Sequence, residues 1–126
     1  MYTEKIEGGM EVMTKRSVSK SKFITYGKGK DEKTINLKNI LYINRTDKYV
    51  MLHSESNIFK YFGALAALEE ILPDNFIRIH REYIVNMEYA ICIHNNCLKL
   101  VNATEIPISR MHREKVQKFL ESMPET

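Results

Sequence analysis

The chain has 126 residues, enough for one domain that buries roughly two thirds of its unfolded surface and too few for a second core. With 44% hydrophobic and 28% charged residues, no Trp, and no apolar run approaching a membrane span or a signal-peptide core, it reads as a soluble domain with an expected cytoplasmic location. The formal charge of +3 is too small to identify a polyanion partner by itself, so its distribution matters more than its sum.

Residues 1–21 hold Gly8-Gly9, scattered charges and Ser17, Ser19 and Ser21 without a sustained period, and read as a linker or flexible arm ahead of a domain over 22–123 and a short tail at 124–126. From Phe23 the pattern becomes short β-branched and aromatic runs: Phe23 to Tyr26, Thr34 to Leu37, Ile40 to Asn44, Tyr49 to His53 and Ile58 to Phe62. Tyr26-Gly27-Lys28-Gly29-Lys30 resembles the start of a phosphate loop, but the rest of that motif is missing and a hairpin turn accounts for it. Gly63 to Leu72 changes period: Leu65, Leu68, Ile71 and Leu72 recur at helical spacing, the alanines favour helix, and Pro73 ends it.

The run Phe76-Ile-Arg-Ile-His-Arg-Glu-Tyr-Ile-Val-Asn86 then sets His80, Arg81 and Glu82 between two apolar pieces. An unbroken period of two would bury Arg81 on the face of Ile77, Ile79, Tyr83 and Val85, and an unpaired buried guanidinium is too costly to sustain. The spacing therefore predicts a turn or bulge near His80 to Glu82 that presents Arg81 at a tip. Arg81 there is either a reader of bases or phosphates or a rim cation paired with a carboxylate such as Glu82. Asn86 is expected to cap a turn.

Further strands are expected at Tyr89 to His94, Cys97 to Val101 and Glu105 to Ile108. With Asn95-Asn96 as a two-residue turn, His94 faces Cys97 and Cys92 faces Lys99. The cysteines are then diagonal neighbours about 7–8 Å apart, beyond comfortable disulfide reach, and are expected to be free thiols. His94 adds a third possible ligand but no fourth, so no metal site is read. Ser109 can cap a last helix whose Val116, Phe119, Leu120 and Met123 form an apolar stripe. Arg110, His112 and Arg113 lie at its start, where free amides favour anions.

Turns every 8–12 residues or so belong to an all-β architecture rather than to alternating β-α units. No nucleophile elbow, His-Glu-x-x-His, Cys-x-x-Cys or complete phosphate loop occurs, so no enzyme activity or cofactor is expected. Cations concentrate instead: eight Lys or Arg between Lys15 and Lys38, then Arg45, Lys48, Arg78, Arg81, Arg110, Arg113, Lys115 and Lys118.

Taken in order, Ile40-Leu-Tyr-Ile43, Tyr49-Val50, Tyr61-x-x-x-Leu65-x-x-Leu68-Glu69-x-x-Leu72, Phe76-x-Arg-Ile-His-Arg-x-Tyr-Ile-Val-Asn86 and Ile106-Pro-Ile-Ser-Arg110 resemble the LytTR family of bacterial DNA-binding domains over about Phe23 to Met123. The resemblance implies a mainly β, elongated fold of about ten short strands in three antiparallel sheets, with one short internal helix and a C-terminal helix. It implies a response-regulator output domain of a two-component system, whose loops enter successive major grooves at promoter direct repeats. A receiver domain or sensor kinase would be a partner, and the chain would be either a stand-alone regulator or a C-terminal piece of a longer one. Carried over by position, Arg110 is the base reader and Arg81 a phosphate or base contact. The loop Arg45 to Tyr49 is a third reading loop, with Lys48 or Tyr49 as the contact. His80, His112 and Arg113 complete the expected DNA-binding set. Glu82 stands where the family usually has Ser, and a carboxylate there is mildly repulsive to phosphates. The rival readings are a β-rich module that binds a peptide at a sheet edge, and a single-strand binder that stacks bases on Tyr49 or Tyr61.

Overall fold

In the computed structural model the described residues are Lys5–Ile6 and 21–123. Of the arm read over residues 1–21, all but Lys5, Ile6 and Ser21 lies outside them, as does the tail at 124–126. Ten strands between Phe23 and Pro107 form three antiparallel sheets. A further two-residue strand, β1 (Lys5–Ile6), pairs in parallel with the edge of the first sheet.

That first sheet also contains β2 (Phe23–Tyr26) and β3 (Lys33–Asn36). The Gly-Lys-Gly-Lys segment is their connection, as its composition predicts. Gly27 has φ +93°, and a Cβ there would meet the Asp31 carbonyl oxygen at 2.5 Å, so only glycine fits. The central sheet has the order β6 (Ile58–Phe62), β5 (Tyr49–Ser54), β4 (Ile40–Thr46), β8 (Tyr83–Asn86), β7 (Phe76–His80). The third is β11 (Glu105–Pro107), β10 (Cys97–Leu100), β9 (Ala90–His94). In it His94 pairs with Cys97 and Cys92 with Lys99, the expected register. Asn95 and Asn96 have φ +52° and +62°, the left-handed pair of a two-residue hairpin turn.

The central sheet divides the interior into two cores, contrary to the expectation from length that no second core would form. The reason is that β4 and β8 carry apolar residues on both faces, and both must be covered. Ile43, Val50, Leu52 and Ile84 pack with Ile24, Ile35, Leu65 and Leu68 on one side, while Leu41, Ile79, Val85, Leu98, Leu100, Ile106 and Val116 form a second cluster on the other. Strands β4 and β8 serve both clusters, which is why their sequences read as continuous apolar runs. Beyond β4 the second side of β5 and β6 is left uncovered, and Ile58, Lys60 and Phe62 are exposed there.

The two helices are shorter than their patterns. Helix α1 is Leu65–Glu69, and Ile71 and Leu72 close it with amides bonded to the Leu68 carbonyl instead of continuing it. Helix α2 is Arg113–Ser122, preceded by a 3-10 turn at Arg110–His112. Ser109 does not cap it as expected: its hydroxyl is engaged with His112 Nδ1 at 2.6 Å, so the side chain is unavailable to the helix amides. Asn86 does cap, accepting the Glu88 amide at 3.0 Å, and is itself 1% exposed.

Candidate nucleic-acid interface

Strand pairing gathers the loops that the sequence singled out. The Asp47-Lys48 turn closes β4 and β5 next to the Thr46–Tyr49 pair, and the Arg81-Glu82 turn closes β7 and β8 next to His80–Tyr83. Because Asn44 pairs with Tyr83, both turns leave the central sheet at the same end. The Arg45 amide donates to the Glu82 carbonyl at 3.2 Å, tying one tip to the other. The Ser109 amide donates to the Ile79 carbonyl at 2.9 Å and the Ile108 amide to the Asn96 carbonyl at 3.1 Å, which brings Arg110 and the β9–β10 tip to this rim.

The expected loop Arg45 to Tyr49 is tighter than its sequence indicates. Strand β4 runs on through Thr46 and β5 begins at Tyr49, leaving only Asp47 and Lys48 in the turn, with Asp47 at φ +60°. The break predicted near His80 to Glu82 is present and has two parts. The register with β8 shifts between Arg78 and His80, leaving Ile79 as the extra residue of a bulge buried in the core, and the chain then turns at Arg81-Glu82. Arg81 is thereby exposed rather than forced inward.

Among the described residues, the side chains of the exposed Arg45, Lys48, Arg81 and Arg110 make no hydrogen bond or ion pair, so four cations stand free at one end of the sheet. The rim-pairing alternative for Arg81 falls to another residue. Arg78 holds Glu69 at 2.8 Å, and its Nε and Nη2 donate to the carbonyls of His80 at 3.0 Å and Arg81 at 2.6 Å. Arg78 therefore braces the tip from behind, a role the sequence reading missed. Arg113 is also engaged, with Nη1 donating to Asn96 Oδ1 at 2.5 Å. His80 is half-buried, edge-on to Tyr83, and its Nδ1 accepts the Glu82 amide at 3.1 Å. Desolvation, then the nearby Lys115 and Arg78 cations, holds His112 below the ordinary histidine pKa.

Phe62 was also missed. It pairs with Tyr49 beside the β4–β5 tip, with ring centroids 5.3 Å apart, and is 50% exposed. The Ile58-x-Lys60-x-Phe62 alternation was the available signal, because it sets two large apolar groups on the lysine face. Tyr61 cannot serve as the base-stacking platform of the single-strand reading: it is 8% exposed, stacked on Tyr26 at 4.9 Å, and burial raises its phenol pKa.

Among the described residues no group of three or more His, Cys, Asp or Glu is placed to hold a metal ion, and Cys92 and Cys97 are free. A cavity of about 480 Å³ lies at the far end of the central sheet between Asn39, Ser54, Glu55, Asn57 and Tyr89. It is separated from the basic rim by the length of β5, roughly 17 Å. No helix of the described residues is long and apolar enough to cross a membrane.

Among the described residues, then, the exposed and unpartnered Arg45, Lys48, Arg81 and Arg110 stand on or beside braced hairpin tips at one end of the central sheet. The family described as the LytTr DNA-binding domain matches residues 31–121, and the chain belongs to that family, which is a DNA-binding and not a catalytic one. Sensory transduction protein LytT of Bacillus subtilis (strain 168) is 30% identical over 92 residues, covering 68% of this chain and 38% of that protein. Its counterparts in Bacillus cereus and Bacillus anthracis are each 26% identical over 92 residues. This chain thus spans less than two fifths of the relatives it matches. Among solved structures, the LytTr DNA-binding domain of a putative methyl-accepting/DNA response regulator from Bacillus cereus has a TM-score of 0.69. It is 24% identical to this chain, with 79% of this chain and 97% of that one covered, and it shares the fold.

Proposed function

We propose that this domain binds double-stranded DNA sequence-specifically through the rim of hairpin tips, as the output domain of a bacterial transcription regulator acting in the cytoplasm. The observation that carries this reading is the set of four exposed cations, Arg45, Lys48, Arg81 and Arg110, at one end of the central sheet, whose side chains have no partner among the described residues. Two adjacent hairpins put their tips about 10 Å apart, a spacing that fits a major groove about 12 Å wide.

Arg110 is the base reader in this scheme, because a guanidinium can bond guanine O6 and N7 together. Lys48 and Arg81 contact phosphates and fix the position of the domain, and Arg45 adds to the attraction. His80 and His112 contribute ring nitrogens to the rim, and Arg113 acts through the Asn96 tip it holds. The Glu82 carboxylate, without a partner among the described residues, keeps phosphates away from its own position. Occupation of successive grooves at promoter direct repeats, by domains placed side by side, suits a rim of short tips. The remaining length of the sensory transduction relatives leaves room for a receiver domain that answers to a sensor kinase.

Selection of bound duplexes from a random pool tests the reading directly. A shared motif is expected. Arg110→Ala should lower discrimination against one base substitution by about 1–3 kcal/mol. Lys48→Ala should weaken all duplexes alike and reduce the slope of log affinity on log salt by about 1. Equal preference by wild type and Arg110→Ala for selected over scrambled duplexes would refute the base-reading role. The peptide reading keeps one observation in its favour, the outer edge of β6, which has no strand partner among the described residues. Binding of a folded partner with no shift of duplex at low salt would favour it.

A further inference from the structure

We infer that Phe62, seated against Tyr49, reads thymine by packing on its C5-methyl group in the major groove next to the phosphate contacted by Lys48. This rests on the duplex-binding reading above and deepens it.

Phe62 and Tyr49 are cross-strand partners on the side of the central sheet that neither core covers. Their rings meet edge to face at 5.3 Å, and Phe62 is 50% and Tyr49 36% exposed. Single exposed apolar residues are ordinary and need no account. This pair differs in its position and its surroundings. The Gly63 amide donates to the Lys48 carbonyl at 3.3 Å, which ties the end of β6 to the β4–β5 tip, so the pair is continuous with the free cations of the rim. The Lys60 ammonium lies 4.6 Å from the centre of the Tyr49 ring, and the exposed Lys48 is the residue before Tyr49, so the apolar surface has one cation against it and a second one residue away at the tip. An apolar patch beside cations suits a surface that is itself apolar beside anions, and the thymine methyl between two phosphate strands is the one such group in the major groove. Aromatic side chains with two rotatable bonds, already packed on each other, lose little freedom on contact. Ile58, the other large exposed residue of β6, is about 13 Å away along the strand and lies outside this patch.

The test uses the whole chain and the duplex recovered from the random pool, resynthesised with deoxyuridine replacing each thymine in turn, which removes only the methyl. Wild type should lose about three- to fivefold in affinity at one or two thymines, the scale of one buried methyl. Phe62→Ala should lose a similar factor on the unmodified duplex and become indifferent to deoxyuridine there, while Phe62→Leu should keep part of the sensitivity. Deoxyuridine penalties that are absent, or unchanged in Phe62→Ala, would overturn the inference and leave the duplex-binding reading intact. Normal single-site binding by Phe62→Ala with lost cooperative occupancy of two adjacent sites would also overturn it, and would assign the pair to a neighbouring copy of the chain. A pool that yields no shared motif would overturn the duplex-binding reading and this inference together.

Discussion

Arg78 and Arg81 lie three residues apart on one hairpin and do opposite work. The exposed Arg81 side chain has no partner among the described residues, whereas that of Arg78 is spent on Glu69 and on the carbonyls of His80 and Arg81. Magnitudes separate the two sets of Arg78 contacts. A partly exposed ion pair contributes about 0–1 kcal/mol, while hydrogen bonds from a charged donor to carbonyls contribute about 1.5–3 kcal/mol each. Glu69→Gln should therefore change little. Arg78→Met should cost about 2 kcal/mol or more in urea unfolding and weaken duplex binding beyond that loss, because the tip is no longer held. Equal effects of the two substitutions would contradict this ordering. Arg81 was legible in the sequence, because the cost of burying it forced a break. Arg78 was not, because within Phe76-Ile-Arg-Ile it reads as an ordinary outward strand residue, and Glu69, its partner, sits on another element.

At the scale of elements, the hairpins were largely readable and the places where register slips were not. The strand runs and the Asn95-Asn96 turn follow from local alternation and turn chemistry, so β2 and β6 have the expected limits. The extra residue at Ile79 depends on how β7 pairs with β8, and the ends of α2 depend on the Ser109 hydroxyl choosing a histidine ring over helix amides. Asn86 joins several elements at once. Its Nδ2 donates to the Ile40 carbonyl at 2.9 Å, and its Oδ1 accepts from Asn75 at 2.6 Å and from the Glu88 amide at 3.0 Å. Asn86→Ala leaves these groups without partners in the interior and should lower unfolding free energy by about 2–4 kcal/mol, measured by denaturant titration. A loss under about 0.5 kcal/mol would mean that water replaces the side chain without penalty.

For the whole molecule, two cores share the central sheet, so β4 and β8 couple the layers, and unfolding should be a single cooperative transition. Its pH dependence has a definite sign. Burial lowers the pKa of His53, which donates from Nε2 to Asn44 at 2.6 Å, and desolvation with neighbouring cations lowers that of His112, both from 6.5. Below that value the unfolded chain binds more protons than the folded one. Stability should be full above about pH 7 and fall as pH drops through 6.5, levelling off once both folded histidines are protonated. Urea midpoints across this range check it, and His53→Gln should flatten part of the fall. A midpoint that rises on acidification would reverse the sign. The overall β architecture was legible in turn spacing, but the sharing of one sheet by two cores was not, because it rests on contacts far apart in sequence. Arg78 grips peptide carbonyls, which every amino acid supplies, so the residues at 80 and 81 can be exchanged while the grip survives. In the proposed scheme such exchanges change how tightly the tip is held to phosphates, while the framework and the base-reading Arg110 stay unaltered.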